Sequence, residues 1–156
     1  MQNLEPSIRN AVRAIIVRDD AILMQKKWSE IKGYWYALPG GGQDVQETLI
    51  EALQRECKEE IGVEVQMGEL IHVADFYKQR ETEFPSTRHL VEFMFVCAVP
   101  DDYQPINGSH PDKHQIDVVW LPFNEIAKHR LFPAGLANVL ANLHAGKSGC
   151  YLGILD

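Results

Sequence analysis

Residues 55 to 62 read RECKEEIG, which sets Glu56, Glu59 and Glu60 within little more than one helical turn around a single apolar Cys57. Carboxylates at such spacings repel one another. Either they form a solvated face, partly compensated by Arg55 and Lys58, or they hold a hard divalent cation, because Mg²⁺ and Mn²⁺ take oxygen ligands. Their position relative to the apolar stripe discriminates. At roughly 100° per residue the three glutamates share about one third of the helix circumference. That arc borders the stripe of Leu53, Cys57 and Ile61, whereas a merely solvated run would oppose the core. The carboxylates are therefore expected at the edge of the buried side, over a sheet. Glu47 and Glu51 carry the acidity back to the helix start, where the macrodipole favours anions, and Arg55 lies about two turns from Glu47, within reach of it.

Positioning these groups falls to a small set of elements. From Val45 to Ile61 the chain has no Gly or Pro and repeats Leu49, Ile50, Leu53, Cys57 and Ile61 at helical spacing, which predicts a helix over 45–61 closed by a left-handed Gly62. Upstream, AVRAIIVR (11–18) and AILMQKKW (21–28) read as strands joined in a hairpin at Asp19 and Asp20. WSEIKGYWY (28–36) reads as an aromatic loop, and LPGGG (38–42) as turn or close-approach chemistry. Downstream, 63–77 reads as a strand with a bulge at Gly68, 88–99 as another, 101–115 as a long exposed loop and 116–122 as a short final strand. FNEIAKH reads as a helical turn, and PAGLANVLANLHAG as a C-terminal helix with Pro133 at its first position. Strands and helices that do not alternate strictly predict an α+β fold, an α/β/α sandwich in which a mixed sheet packs against the 45–61 helix and the C-terminal helix.

The 156 residues predict a single domain spanning 1–156, with 46% hydrophobic and 24% charged residues and a formal net charge of -7. The acidity argues against a nucleic-acid polymer, which wants a basic stripe, and is compatible with a small anionic substrate whose charge a metal ion offsets. Cys57, Cys97 and Cys150 have neither disulfide nor zinc spacing, so a reducing, cytoplasmic setting is expected. The polar start MQNLEPSIRN resembles no signal peptide, and no stretch reads as a membrane span.

Gly41, five residues to Glu47, seven to Arg55, then Glu56, Cys57, Lys58, Glu59, Glu60, Ile61, Gly62 and Val63 together match the signature of the Nudix hydrolase family, which includes the MutT-like pyrophosphohydrolases. YALPG ahead of it resembles the family's usual lead-in. Cys57 stands where the family prefers a bulky aliphatic residue, and a buried cysteine packs as a small hydrophobe. The resemblance implies hydrolysis of a phosphoric anhydride in a nucleoside diphosphate linked to a further group X, with Mg²⁺ or Mn²⁺ as cofactor. It implies Glu56, Glu59 and Glu60 as metal ligands, joined by the Gly40 carbonyl, and Glu47 with Arg55 as the pair that fixes loop and helix. Glu47, Arg55, Glu56 and Glu59 form the catalytic set, with Glu59 the first choice of general base; Glu92, Asp112 and Asp117 remain open alternatives.

The partner so implied is a small nucleotide. Tyr34 and Trp35 are candidates to stack on its base, and Lys26 and Arg88, with Arg80, to meet its phosphates. The proline that marks the family's ADP-ribose subset is missing from DFYKQRETEF, and the coenzyme A and NADH motifs are missing too. X therefore stays open among nucleoside triphosphates, including oxidised ones, nucleotide sugars and dinucleoside polyphosphates. A ligand-sensing module of the same fold is the rival reading, although such modules commonly lose box glutamates. A homodimer is the commonest symmetric assembly and the one to test.

Overall fold

The first strand leaves its expected partner. In the computed structural model, which describes residues 3–147 and 149–156, β1 (Arg9–Ile15) pairs with β5 (Gly40–Gly42) and with β7 (Ser86–Ala98). Only β2 (Val17–Arg18) turns back on β3 (Ala21–Ser29). The predicted hairpin thus survives at its tip alone. Asp19 and Asp20 make that tip with both φ angles positive, 51° and 62°, as a tight twist-matched turn requires.

Two sheets result. The larger runs β5-β1-β7-β6-β9, with β6 spanning Gln66–Arg80 and β9 Tyr151–Ile154. It is mixed: β1 with β7 and β6 with β9 are parallel, while β1 with β5 and β6 with β7 are antiparallel. The smaller sheet holds β2, β3, β4 (Gly33–Ala37) and β8 (Gln115–Pro122). Two readings are corrected here. The stretch taken as an aromatic loop is largely strand, with 28–29 ending β3 and 33–36 lying in β4, where Trp35, Tyr36 and Ala37 are buried against β3 and the core. Nor is β8 the last strand: β9 adds to the edge of β6 by only two paired positions, Val73 with Tyr151 and Asp75 with Ile154. The bulge at Gly68 is present as a register shift between Met67 and Leu70.

α1 (Leu49–Ile61) starts four residues later than its pattern suggests. Thr48 caps it, accepting from the Glu51 amide while the Glu51 carboxylate accepts from the Thr48 amide at 2.7 Å, a reciprocal box that fixes the helix start. Gly62 ends it at φ 68°. The helix buries Ala52, Leu53, Cys57 and Ile61 with Val12, Ala14, Leu23 and Phe95. α2 (Leu136–His144) covers the opposite face, where Leu136 and Leu140 meet Ile15, Met24 and Met94. Pro133 precedes α2 by three residues, so it does not occupy the first helical position. Because strand side chains alternate between faces, Val12 and Ala14 serve one layer and Ile15 the other, giving the expected α+β sandwich.

The loop over 101–115 is exposed in most places but has one structural task. The carbonyls of the last helical turn lack intrahelical partners, and the loop supplies them. Gly108 donates to the Glu60 carbonyl, His110 to that of Glu59, and the Tyr103 hydroxyl to that of Ile61 at 2.8 Å. The turn that carries Glu59 and Glu60 is thereby held from outside. No helix among the described residues is long and apolar enough to cross a membrane.

Thr48→Ala removes the cap of the helix that bears the box. It is expected to lower stability by about 1 kcal/mol, read as a reduced urea midpoint at unchanged slope; an unaltered midpoint would mean that the capping box does not set the helix start.

Candidate active site

β1 and β5 bring the glycine loop under the edge of α1, with Arg13 opposite Gly40 and Val12 opposite Gly41. Gly40 has φ 138°, and a Cβ there would strike the Val12 carbonyl. A Cβ at Gly41 would come within 2.6 Å of the Glu56 carboxyl. Gly40 must be glycine if strand and loop are to approach so closely, and a side chain at Gly41 would have to displace the Glu56 carboxyl.

Glu60 is the central group. Its side chain is 2% exposed, and Oε1 accepts the Gly40 amide at 2.7 Å. Burial, with the Asp112 carboxylate nearby, pushes its pKa up to about 8. Burial also raises that of Glu56. Arg55 forms a fork: Nε and Nη2 reach the two Glu47 oxygens at 2.7 and 2.9 Å, Nη2 also reaches the Gly42 carbonyl, and Nη1 reaches Glu56 at 3.0 Å. That grip, with the Asp44 amide bonded to the same carboxylate, lowers Glu47 to about 2. Glu59 is only 3.5 Å from Arg55 Nη1, and its side chain is 36% exposed. The three box glutamates therefore share the buried edge of the helix, as their spacing requires. Because Glu56 and Glu59 turn toward Arg55 and Glu60 toward Gly40, no three acidic, His or Cys side chains converge on one point among the described residues. The Gly40 carbonyl accepts Arg13 Nη1 at 2.9 Å and retains a second lone pair.

Across the sheet face from this edge lies a pocket whose walls include Arg13, Lys27, Lys78, Glu92 and Asp112, with Phe132 on the apolar side. Arg13 meets both oxygens of Glu92 at 3.3 Å, and Lys27 meets Asp112 at 2.5 Å. Lys78 has no carboxylate at ion-pair distance among the described residues; its ammonium lies 5.9 Å from the Phe132 ring. Desolvation, together with Arg13 and Lys27, lowers its pKa.

Several candidates fall elsewhere. Trp35 is 8% exposed and packs edge-on against His114, so it closes the loop and offers no free face. Arg88 is held by Glu5. Asp117 is exposed and bonds the amide of the next residue, Val118. Lys26 lies 4.7 Å over the ring of Tyr34, which is 57% exposed, while the ladder to β8 slips between Lys26 and Lys27 and it is Lys27 that lines the pocket. Arg13, Lys27 and Lys78 escaped the sequence reading. Arg13 had one usable signal, a lone charge at an inward position of an apolar strand, which must find a partner when buried.

A family model described as the NUDIX domain matches residues 7–143. The human protein named 8-oxo-dGDP phosphatase NUDT18 is 41% identical over 105 residues, 67% of this chain and 29% of its own length. Its mouse counterpart of the same name is 44% identical over 46 residues, 30% of this chain and 14% of its own length. The chain thus spans less than one third of the length of these relatives. Among solved structures, the E. coli ORF135 protein superposes with a TM-score of 0.62 at 26% identity, covering 89% of this chain and 90% of that one. The MutT protein from Methanosarcina mazei Go1 gives 0.66 at 18% identity, covering 94% and 97%, a likeness of fold. The family match runs through β1, the glycine loop, the whole of α1 and most of α2, and the chain accordingly belongs to the NUDIX hydrolase family.

Proposed function

We propose that residues 1–156 act as one NUDIX domain that hydrolyses a phosphoric anhydride bond in a nucleoside diphosphate linked to X, with Mg²⁺ or Mn²⁺ as cofactor. The observation that carries the reading is the buried Glu60 carboxyl, crowded by Asp112 and Glu56 at a pKa near 8. Such a site is costly without a cation, and its donors are all oxygen, the set a hard divalent ion takes. Glu56, Glu59, Glu60 and the Gly40 carbonyl would hold that ion. When bound, it neutralises phosphate charge and makes a water more acidic.

The chain's own residues divide the remaining work. Glu47 fixes Arg55, which holds Glu56 and the Gly42 carbonyl so that helix and loop keep one spacing. Arg13, Lys27 and Lys78 face the pocket and receive phosphate oxygens. Glu59 takes the proton from the attacking water. Its carboxylate is the most accessible of the three and the most loosely paired, whereas Glu92 and Asp112 are each tied to a cation. Tyr34, exposed beneath Lys26, and Trp28, also exposed, are the members of the aromatic run left to stack on a base. The name of the human relative, 8-oxo-dGDP phosphatase, makes oxidised guanine nucleotides the first substrates to try. Cys57 and Cys97 are buried free thiols, in keeping with a reducing cytoplasmic setting.

Phosphate release measured with Mg²⁺ and with Mn²⁺ over oxidised and ordinary nucleoside di- and triphosphates, nucleotide sugars and dinucleoside polyphosphates tests the reading; silence across the panel from a folded protein would overturn it. Glu59→Gln should cut kcat on the order of 10²- to 10⁴-fold with little change in melting temperature, and unchanged turnover would remove Glu59 from the mechanism. Arg55→Lys cannot reproduce the bidentate grip on Glu47. It should cost about 10- to 100-fold in activity or metal affinity, and full activity in that variant would refute the brace.

A further inference from the structure

Two arginines and a hydroxyl converge on one carboxylate at the far end of the pocket's sheet face. Glu5 Oε1 accepts Arg80 Nη1 at 3.0 Å and the Ser86 hydroxyl at 2.9 Å, while Oε2 accepts Arg88 Nε at 2.7 Å. We propose that Arg80, Arg88 and Ser86 form a binding site for a phosphate group, and that Glu5 fills this site from within the chain.

Three observations carry the proposal. The first is charge. One carboxylate answers two guanidiniums, leaving an excess positive charge that a phosphate dianion neutralises, with a third oxygen for Ser86. Bonds from Arg88, Arg80 and Ser86 hold the Glu5 carboxyl down at about 2, so the trio stabilises negative charge placed between them. The second is attachment. Among the described residues, the bonds of the segment that carries Glu5 include its own amide to the Thr87 carbonyl, the Thr87 amide to the Asn3 carbonyl, and Asn3 Nδ2 to the Pro85 carbonyl at 3.3 Å. Leu4 and Ile8 beside it are exposed, so lifting Glu5 away uncovers little apolar surface at these two positions.

The third is place. Lys78 stands directly opposite Arg88, Phe76 opposite Leu90 and Ala74 opposite Glu92, with no register break between. These pairs share one face of the sheet, the face that carries the pocket lined by Lys78 and Glu92. From Glu92 to Arg88 is four residues, about 13 Å along a strand, a reach comparable to the length of a nucleoside diphosphate. The phosphate is either free or the far phosphate of a nucleotide; only the second source rests on the hydrolase reading.

Calorimetric titration of inorganic phosphate into metal-free protein in EDTA tests the site apart from any turnover. A site that is open about a tenth of the time binds about tenfold more weakly than an open one, so Glu5→Gln should bind phosphate about tenfold more tightly than the unaltered protein. The double variant Glu5→Gln with Arg88→Gln should lose that gain. Equal binding with and without Glu5, or a gain that survives Arg88→Gln, would overturn the proposal. Should Glu5→Gln fold poorly, Glu5→Asp, which keeps the charge but withdraws it by one methylene, reads the same competition. In steady-state assays of Glu5→Gln, a fall in KM confined to substrates ending in a phosphate assigns the site to the nucleotide. Tighter phosphate binding with KM unchanged assigns it to free phosphate. Both outcomes uphold the site, and the titration keeps its meaning even if no substrate is turned over.

Discussion

The site depends on one peptide unit, that of Gly40, which is held from both sides. Its amide donates to Glu60 on α1, and its carbonyl accepts Arg13 on β1. A buried carboxylate bonded to a buried amide in low dielectric is strong when made and expensive when broken, so helix, loop and strand share one spacing. Glycine is what permits it, since at φ 138° any side chain would run into the Val12 carbonyl. The far end of the same helical turn is held by the 101–115 loop through the carbonyls of Glu59, Glu60 and Ile61. Glu60 thus has little freedom to relieve its desolvation by moving, and this is why its pKa stays high.

Charge is distributed unevenly around that peptide. The chain is acidic, with a net charge of -7, yet the pocket collects Arg13, Lys27 and Lys78 within reach of Glu60 and Asp112. Arg13 and Lys27 pair with Glu92 and Asp112; among the described residues Lys78 feels the same two carboxylates without an ion pair of its own. The same pairing ties Glu92 and Asp112, plausible bases when only their positions along the chain are considered, to one cation each in the fold.

What the sequence reveals follows from what is local. The α1 helix, its glycine terminator and the carboxylate edge are encoded in spacings of three and four residues, and the burial of Cys57 follows from the same stripe. The true helix start is local too, written in Thr48 and Glu51 as a capping box that outweighs the unbroken run from Val45. The partners of β1 are not local. Ile15 and Val17 look like one strand, but the chain changes sheets between them, and no short-range pattern records that β1 will lie beside residues 90–96. β4 hides because Tyr34, Trp35 and Tyr36 look alike in an aromatic loop and in a half-buried strand, and only the pairing of Trp35 with Lys27 and Tyr36 with Lys26 separates the two. β9 is too short and too weakly paired to leave a pattern. The pocket's cations come from β1, β3 and β6, brought together only by the sheets; a lone Arg or Lys in a strand gives its position but not its company.

Glu47 is gripped by one arginine through two bonds and Glu5 by two arginines through one bond each, and their surroundings give the grips different meanings. Glu47 lies between elements that are fixed without it: α1 by its capping box, the glycine loop by its ladder to β1. Its own backbone is also engaged, through the Gln43 side chain on its carbonyl and the bond from its amide to the Asp44 carbonyl. Freeing Glu47 from Arg55 would leave both charges beside a backbone that cannot move away, so the pair works as a brace. Glu5 rides on a segment whose neighbouring side chains Leu4 and Ile8 are exposed. When a competing anion takes its arginines, the segment can carry the displaced carboxylate into water, where an isolated charge is well solvated. A salt bridge becomes a brace or an exchangeable plug according to the mobility of the weaker-held partner, and in this fold that difference separates the box at one end of the sheet face from the arginine pair at the other.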